Sequence, residues 1–433
     1  MIQKHISIKV IEDNDLCISC GACTHICPFD NILMKYVNQR GKYDAVVTIE
    51  ETCLQCNGEK NCLAVCPSYN TNYDTLANAS ANNFLGNIEN VYNGYSKDEE
   101  MRQTSSSGGF IRALVTELLA TNKIDGVITI THDEGLNYTP KIIQDIKEMP
   151  NSIYHNINYE NAITLLKEHE GTFLLLGLPC QITSIEKLLL KKKFRPLQEK
   201  IYAKVALICG YTFERTNMEF FAHANRFDLN TISYREHGRY RKTRITNNKT
   251  SILFDVYNPV SIKERVNNSI MFDKFMPQKH CLYCVDHMGY CADIVVGDAW
   301  QSRYSTDKVG TNLIIARTEG GDKIISSLKS FSLDEGFKDE IEASQHQYAK
   351  PNLGLSFAEY NLFRDNFVVE HVVSKESTPL MLIPISFKNR AKVVFLKSLL
   401  RKRAYRTLQM MYISLEWKTF IKLLVKRILG KKI

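Results

Sequence analysis

Eight cysteines near the start of the chain have the number and spacing of iron–sulfur ligands. The first run follows C-x2-C-x2-C-x3-C-P and the second follows C-x2-C-x5-C-x3-C-P; they comprise Cys17, Cys20, Cys23 and Cys27, then Cys53, Cys56, Cys62 and Cys66. Thiolates at the first spacing hold [4Fe-4S] clusters, and the fourth cysteine of such a run serves the neighbouring cluster. Two matched runs, each closed by a proline, therefore predict two [4Fe-4S] clusters.

The order of these cysteines resembles that of two-cluster bacterial ferredoxins. If ligation crosses over as it does there, Cys17, Cys20, Cys23 and Cys66 hold one cluster, and Cys53, Cys56, Cys62 and Cys27 hold the other. Structural zinc is the alternative. Closed zinc sites usually pair two C-x2-4-C knuckles, however, and do not place four cysteines so close together.

Two further motifs could bind a ligand. Residues 105–109, SSSGG, stand at a predicted helix start, where unpaired N–H groups and the positive end of the helix dipole receive phosphate. A helix cap with a flexible turn is the alternative. Residues 177–181, GLPCQ, follow a buried strand, at the edge where open α/β sheets bind ligands. Asp298, after Gly297 at another strand end, is either a ligand contact or a turn residue.

Five cysteines lie outside the two runs, and in an intracellular protein they suggest a third metal centre with one thiol left over. They are Cys180, Cys209, Cys281, Cys284 and Cys291.

The body of the chain predicts an α/β fold, because buried apolar strands alternate with amphipathic helices. Strands are predicted at 126–130, 172–176, 202–209, 293–297 and 312–317, and helices at 110–121, 182–191 and 323–328. A polar segment rich in Asn, Ser and Thr, residues 68–90, is predicted to link this body to the cysteine-rich start.

Composition and charge restrict the function classes. The chain has 433 residues, 44% of them hydrophobic, and neither a secretory leader nor an apolar run long enough to span a membrane is recognisable. We therefore expect a cytoplasmic globular protein. The net charge of +8 comes from residues 381–433, which carry +13, while residues 1–380 carry −5. This asymmetry argues against a nucleic-acid-binding body.

The basic tail has the pattern of an amphipathic helix. Trp417, Phe420, Ile421, Leu424 and Ile428 share one face, and lysines repeat every four residues on another. Such a helix binds an anionic membrane surface, so we expect peripheral contact with the inner face of the cell membrane. The alternative is a helix that packs its apolar face on the body.

The motifs SSSGGF, LGLPCQI, ICG, HCLYC and ADIVVGDAW, in this order over residues 91–317, resemble the beta subunit of coenzyme F420-reducing hydrogenases and F420-linked dehydrogenases. The resemblance implies FAD with a [4Fe-4S] cluster beside it. Carried over by position, it assigns Cys180, Cys209, Cys281 and Cys284 to the cluster, with Cys291 as the alternative to Cys209. It also implies that the flavin contacts are Ser105, Ser106, Ser107, Gly108, Gly109, Pro179, Gln181, Gly297 and Asp298.

Histidines and arginines near these motifs are weaker candidates. His237, His280 and His287 are either proton donors or residues satisfied by solvent or the core, and an arginine near a flavin stabilises its anionic reduced form. The candidate arginines are Arg235, Arg239 and Arg241.

We therefore predict an oxidoreductase that passes electrons between [4Fe-4S] clusters and a flavin. The flavin is expected to exchange hydride with a deazaflavin or another small carrier, and the resemblance suggests service in a surface-polysaccharide pathway. The alternative is an electron-transfer subunit of a larger complex with no substrate site of its own. Either version needs a redox partner protein or small electron carrier, and neither involves nucleic acid.

The predicted fold is an α+β ferredoxin-like cluster domain followed by an α/β flavin-binding domain with a mixed sheet and a basic helical tail. The predicted boundaries are 1–75 for the ferredoxin domain, 76–90 for the linker, 91–335 for the flavin and iron–sulfur domain, 336–380 for a connecting region, and 381–433 for the tail.

Overall fold

A computed structural model describes most of the chain up to residue 345. It describes residues 7–56, 61–226, 231–236, 242–246, 251–255, 261, 263–267, 277–282 and 284–345, and scattered positions between 398 and 414. Several predictions fall outside the described residues: those on His237, Arg239 and Arg241, most of the connecting region, and nearly all of the basic tail. They stay predictions.

The cysteine-rich start forms a small α+β unit. Its elements are α1 (Lys9–Asp13), α2 (Ala22–Ile26), β1 (Ile32–Val37), β2 (Lys42–Val47), α3 (Glu50–Gln55) and α4 (Asn61–Ala64). Strands β1 and β2 form an antiparallel hairpin in which Ile32 lies opposite Val47. Apolar residues including Ile8, Leu16 and Leu63 pack with the cysteines into one small core. This is the ferredoxin-like architecture expected from the cysteine spacing.

The segment predicted as a linker, residues 76–90, is packed against the body instead of forming a spacer. Two short helices, α5 (Tyr73–Ala77) and α6 (Ala81–Phe84), occupy it and the residues before it. Leu85 and Ile88 are buried in the main core. The Arg317 guanidinium donates to the carbonyl oxygens of Leu85 at 2.9 Å and Asn87 at 2.8 Å. The polar composition was misleading because the asparagines cap short helices while the apolar residues between them fill the core.

The body is built on one large mixed sheet. Its strands are β3 (Asn90–Ser96), β4 (Gly126–His132), β5 (Tyr138–Ile143), β6 (Phe173–Gly177), β7 (Ile201–Leu207), β11 (Ile294–Asp298), β12 (Asn312–Ala316) and β13 (Phe331–Gly336). The spatial order is β13-β3-β12-β11-β7-β6-β4-β5. The adjacent strands β11, β7, β6 and β4 are parallel, and antiparallel strands flank them on both sides. A separate three-stranded sheet contains β8 (Thr231–Glu236), β9 (Lys242–Thr246) and β10 (Ser251–Asp255).

Both faces of the large sheet are covered, which explains the unbroken apolar runs in its central strands. The larger helices are α7 (Glu99–Thr104), α8 (Phe110–Ala120), α9 (Asn161–Glu168), α10 (Pro179–Leu189), α11 (Thr216–Asn225), α12 (Glu319–Ser326) and α13 (Lys338–Gln345). Residues of α8 and α12 pack on one face. Residues of α9, α10 and the ferredoxin-like unit share the core on the other face. In the part of the chain that the structure describes, no helix has both the length and the apolar character needed to cross a bilayer.

Candidate functional site

Four cysteines of the ferredoxin-like unit form a buried group, the inner cysteine set, which consists of Cys17, Cys20, Cys23 and Cys66. Burial raises the pKa of the Cys23 thiol well above its ordinary value, and the neighbouring Cys20, Cys17 and Cys66 thiols raise it further. The backbone N–H groups of Ser19 and Ala45 each donate to Cys17 Sγ at 3.4 Å. The structure thus brings together the four cysteines that ferredoxin-like crossover assigns to one cluster.

The other four cysteines of this unit lie nearer the surface and form the outer cysteine set, Cys27, Cys53, Cys56 and Cys62, all half-buried. Burial raises the pKa of Cys62 to about 11, and Cys53 and Cys56 act in the same direction. The Cys62 thiol also raises the pKa of Cys23. The outer set is therefore adjacent to the inner set, and it is the one of the two that has access to solvent.

A third cysteine set, Cys180, Cys209, Cys281 and Cys284, converges on one cavity of about 40 Å³ in the body. Cys180 lies in the first turn of α10, directly after β6, and Cys209 follows the end of β7. Burial raises the pKa of Cys180, and the Cys209, Cys284 and Cys281 thiols raise it further. Cys20 of the inner set also raises the pKa of Cys180, so the inner and third sets are close neighbours.

Cys291, the alternative fourth ligand, lies apart from the third set. It does not line the 40 Å³ cavity. Its thiol accepts a hydrogen bond from Thr183 Oγ1 at 3.6 Å. Burial and the nearby Asp286 carboxylate raise its pKa to about 12. The structure therefore groups Cys209, and not Cys291, with the other three cysteines.

Among the described residues, no group of three or more Cys, His, Asp or Glu side chains is arranged to hold a metal ion. A structural zinc needs four ligands on one ion, whereas a cubane takes each thiolate on a different iron. The preference for clusters over zinc therefore rests on the spacing of the cysteines along the chain.

The two described candidate histidines are structural at this site. His280 Nδ1 lies 2.9 Å from Ser68 Oγ, in the segment that follows the second cysteine run. His287 Nδ1 lies 2.8 Å from the carbonyl oxygen of Cys209 and donates to it. Both side chains line the cavity of the third cysteine set. Their contacts join the cysteine-bearing segments to one another.

A pocket of about 300 Å³ opens at the carboxyl ends of the four parallel strands. Thr129 and Ile130 of β4, Leu176 and Gly177 of β6, Leu207 of β7, and Val296, Gly297 and Asp298 of β11 line it. This edge is where open α/β sheets bind ligands, and the volume lies at the lower end of the range for small-molecule sites. The pocket and the third-set cavity share lining residues, including Cys209, Gly210, Tyr211 and Thr212.

Most of the predicted flavin contacts line this pocket: Ser105, Ser106, Ser107, Gly109, Gln181, Gly297 and Asp298. Their polar groups are partly engaged within the protein. Ser105 Oγ donates to the Met101 carbonyl at 2.7 Å, and Ser106 Oγ accepts from the Ser152 N–H at 3.2 Å. The serine loop is therefore a rigid wall at the start of α8.

Two of the predicted contacts do not line the pocket. A Cβ on Gly108 would lie 2.7 Å from Asn312 Oδ1 and 2.7 Å from the Gly94 carbonyl oxygen. The close approach of strands β3 and β12 is thus sufficient to require glycine at position 108. Pro179 lines the smaller cavity of the third cysteine set, since it begins α10 beside Cys180.

Arg235 is the described member of the arginine cluster, and it reaches the pocket from β8. Its two terminal nitrogens contact the two carboxylate oxygens of Asp298 at 2.8 and 2.9 Å. Both side chains are largely buried. The pair joins the small sheet to β11 and places a neutralised pair of charges in the pocket wall. The sequence pattern suggested each residue but gave no indication that they pair.

The ferredoxin-like unit is fixed to the body by direct contacts. The Tyr159 N–H donates to the Ser19 carbonyl at 2.8 Å, and the Arg215 N–H donates to the Gly41 carbonyl at 2.7 Å. Asn156 Nδ2 donates to Ser19 Oγ at 2.7 Å. These contacts hold the inner cysteine set beside the third. Sequence reasoning missed them because they join residues more than a hundred positions apart.

Comparison with known proteins identifies the same two parts. Residues 16–70 match the 4Fe-4S dicluster domain. Residues 91–153 match the N-terminal part of the coenzyme F420 hydrogenase/dehydrogenase beta subunit, and residues 171–333 match its C terminus. The two beta-subunit models together cover more than half of the chain.

Individual relatives are distant. The chain is 23% identical to a subunit of the F(420)H(2) dehydrogenase of Methanosarcina mazei over 326 residues, 70% of this chain and 82% of that protein. It is 26% identical to the coenzyme F420-dependent sulfite reductase of Methanocaldococcus jannaschii over 355 residues, 77% of this chain but only 49% of that protein. A chain in the F420-reducing [NiFe] hydrogenase complex from Methanosarcina barkeri superposes with a TM-score of 0.48 at 19% identity, covering 66% of this chain and 96% of that one.

The three matched segments coincide with the cysteine runs and with the sheet that carries the third set. The chain is thus an iron–sulfur protein, and it belongs to the family of coenzyme F420 hydrogenase/dehydrogenase beta subunits, with a 4Fe-4S dicluster domain preceding the family region.

Proposed function

We propose that this protein is an iron–sulfur flavoprotein oxidoreductase that binds FAD in the pocket of the large sheet and a third [4Fe-4S] cluster on Cys180, Cys209, Cys281 and Cys284. One observation carries the proposal. The pocket and the cavity of the third cysteine set share the wall formed by residues 209–212. A two-electron carrier in the pocket would therefore lie next to a one-electron carrier.

The three cysteine sets support a relay with a definite order. The outer set is half-buried, the inner set is buried, and the third set adjoins the large pocket. Cys62 and Cys23 couple the outer set to the inner one, while Cys20 and Cys180 couple the inner set to the third. Electrons would enter or leave at the outer set and reach the pocket through the inner and third sets.

The residues of the pocket fit a dinucleotide. The N-terminus of α8 and the serine loop form one wall, which would suit the phosphates, and Tyr211 and residues 209–210 form the part of the lining shared with the third cysteine set. A bound flavin would exchange hydride with a small carrier and single electrons with a cluster. Turnover assays with reduced F420 and with nicotinamides would identify that carrier, which we propose to be a deazaflavin or another small carrier in a surface-polysaccharide pathway.

An electron-transfer subunit of a larger complex is the second candidate, and a surface feature favours it. Phe29, Leu33, Ile49 and Leu54 are large exposed apolar residues, and each is within six positions of a cysteine of the outer set. Among the relatives, the Methanosarcina mazei protein is named as a subunit. The isolated chain should oxidise reduced F420 or a nicotinamide with a viologen as acceptor if it has its own substrate site. If it has none, activity should require a partner protein.

Flavin binding has a direct test. Heat denaturation of anaerobically purified protein should release FAD, and flavin-free protein should bind added FAD. Ser106→Asp should weaken that binding at least tenfold, because it places a negative charge in the wall assigned to the phosphates. Ser326→Asp, on the exposed surface of α12, is the matched control and should leave it unchanged. Absence of flavin together with failure to bind added FAD would reduce the protein to a cluster-only carrier.

The peripheral membrane contact rests on the tail sequence and is tested separately. The intact chain should sediment with anionic vesicles, fail to sediment with neutral ones, and be released as salt rises. A chain ending at Pro379 should stay in the supernatant. Equal sedimentation of both chains would contradict a role for the tail.

A further inference from the structure

Two buried lysines reach the backbone of the inner cysteine set. Lys187, on α10, donates from Nζ to the Cys66 carbonyl at 2.7 Å and to Thr71 Oγ1 at 2.9 Å. Lys42, on β2, donates from Nζ to the Cys17 carbonyl at 3.0 Å. Lys187 is 9% exposed and Lys42 is 0% exposed. Burying an ammonium group is costly, so each of these charges needs an explanation.

The two lysines differ in how their charge is balanced. Lys42 Nζ lies 2.9 Å from Asp15 Oδ1 and 3.2 Å from Asp44 Oδ1, so two carboxylates surround it. Lys187 contacts two carbonyl oxygens and one hydroxyl, all of them uncharged. None of the ion pairs among the described residues involves Lys187. Its positive charge is therefore directed at the inner set.

One face of α10 connects the third cysteine set to the inner one. Cys180, Ser184 and Lys187 follow one another at intervals of four and three residues, which aligns them on one side of a helix. Cys180 belongs to the third set, Ser184 lies beside the Cys20 thiol while its hydroxyl donates to the Gln181 carbonyl, and Lys187 donates to the Cys66 carbonyl. The helix thus brings a fixed charge to the point where the two sets meet.

We propose that Lys187 sets the reduction potential of the cluster on the inner cysteine set. Reduction adds a negative charge, and a buried positive charge stabilises the reduced form more than the oxidised one, so the lysine raises the potential. A raised potential makes it favourable for an electron to reside on the inner cluster, through which it passes between the outer and third sets. The inference rests on the crossover assignment of the cysteines in the proposed function, but not on flavin.

The test is a redox titration of the anaerobic holoprotein, followed by the electron paramagnetic resonance signals of the reduced clusters. In Lys187→Met, one midpoint should fall by at least the equivalent of a tenfold change in the reduction equilibrium, about 59 mV for a one-electron couple. Lys187→Arg keeps the charge and should stay within a third of that shift. Lys192→Met removes an exposed lysine just beyond α10 and should leave all midpoints unchanged.

Iron content shows whether Lys187 sets the reduction potential of the cluster or only stabilises the segments that bind it. If Lys187→Met loses iron, Lys187→Gln takes its place, since it keeps a donor for the Cys66 carbonyl and lacks the charge. Unchanged midpoints in a neutral variant that retains its iron overturn the proposal. So does iron loss in both neutral variants with retention in Lys187→Arg, because the charge would then serve assembly. The inner cysteine set belongs to the dicluster domain, so a protein without flavin gives the same reading for its midpoint.

Discussion

At the residue scale, Gly21 is the tightest contact between the ferredoxin-like unit and the body. Its φ is +75°, and a Cβ at this position would lie 2.4 Å from Glu160 Cβ. Gly135 also has a positive φ, +59°, but a Cβ there would meet nothing within 4 Å. Substitutions at the two glycines therefore distinguish the free-energy cost of the left-handed backbone from that of the steric overlap with Glu160.

We expect Gly135→Ala to reduce the free energy of unfolding by about 1–2 kcal/mol, the cost of the left-handed conformation alone. Gly21→Ala should cost about 2–5 kcal/mol, because overpacking is added to that strain. Anaerobic denaturant unfolding, followed by cluster absorbance and tyrosine fluorescence, measures both. Equal losses of unfolding free energy in the two variants would mean that Glu160 shifts away from the new Cβ at little cost.

His155 is the residue whose titration should be visible in the stability of the whole protein. It is buried beside the pocket, with Nδ1 2.6 Å from the Tyr234 hydroxyl and Nε2 2.9 Å from the Leu136 carbonyl. Burial, with the nearby Arg215 charge, lowers its pKa to about 3. The unfolded chain binds a proton at this histidine below about pH 6.5, whereas the folded chain does not. Stability should therefore fall as the pH drops from about 6.5 toward 3.

From pH 7 to pH 5.5 this histidine should contribute a loss of about 1 kcal/mol in the free energy of unfolding. His155→Gln should lack that part of the pH dependence, whereas replacement of the exposed His169 by Gln should retain it. Urea unfolding of the three proteins at both pH values provides the comparison. A variant as sensitive to acid as the wild type would show that other groups cause the loss.

What could be predicted at this scale depended on local spacing. The eight cysteines of the two runs are readable because their positions along the chain are fixed by the cluster they bind. Lys187 and Asn156 belong to no recognisable motif in the sequence. Their contacts with the inner set and with Ser19 join residues over a hundred positions apart. No local pattern records such a contact.

At the element scale, the loop before α8 is held against the sheet by Gly108. We expect Gly108→Val to displace β12, because its Cβ would overlap Asn312 and the Gly94 carbonyl. The variant should lower the thermal midpoint of the body along with FAD binding. Ser106→Asp should affect FAD binding alone. A stable Gly108→Val protein with selectively weakened FAD binding would restore the direct flavin contact first expected of this glycine.

The central strands were predictable and the edges were not. Residues 173–177 are all buried, so they form an unbroken apolar run that identifies β6. By contrast, burial does not alternate regularly along β13, at the edge of the sheet, and some of its residues are exposed. Its sequence is therefore compatible with a loop. The segment at 76–90 was mistaken for a linker for a related reason. Its helices are only a turn or so long and carry too little periodicity to recognise.

At the scale of the whole molecule, part of the ferredoxin-like unit packs into a core of the body. Ile18, Ala22 and Val65 from the unit pack in the same buried cluster as Ile128 and Leu175 of the sheet. The boundary predicted at residues 76–90 therefore does not separate the hydrophobic cores of the two parts. The order of matched segments along the chain was predictable, but the surface by which they pack was not, because apolar residues on both sides look like ordinary core residues.

Iron content shows whether the third cysteine set holds a cluster of its own. Anaerobically prepared wild-type protein should contain about twelve iron and twelve sulfide per chain, from three cubanes. Cys281→Ser should retain about eight of each, because only the third cluster loses a ligand. Cys291→Ser, which changes a buried cysteine outside that set, should retain about twelve. About eight iron in the wild type, or a loss in Cys291→Ser with none in Cys281→Ser, would contradict the account.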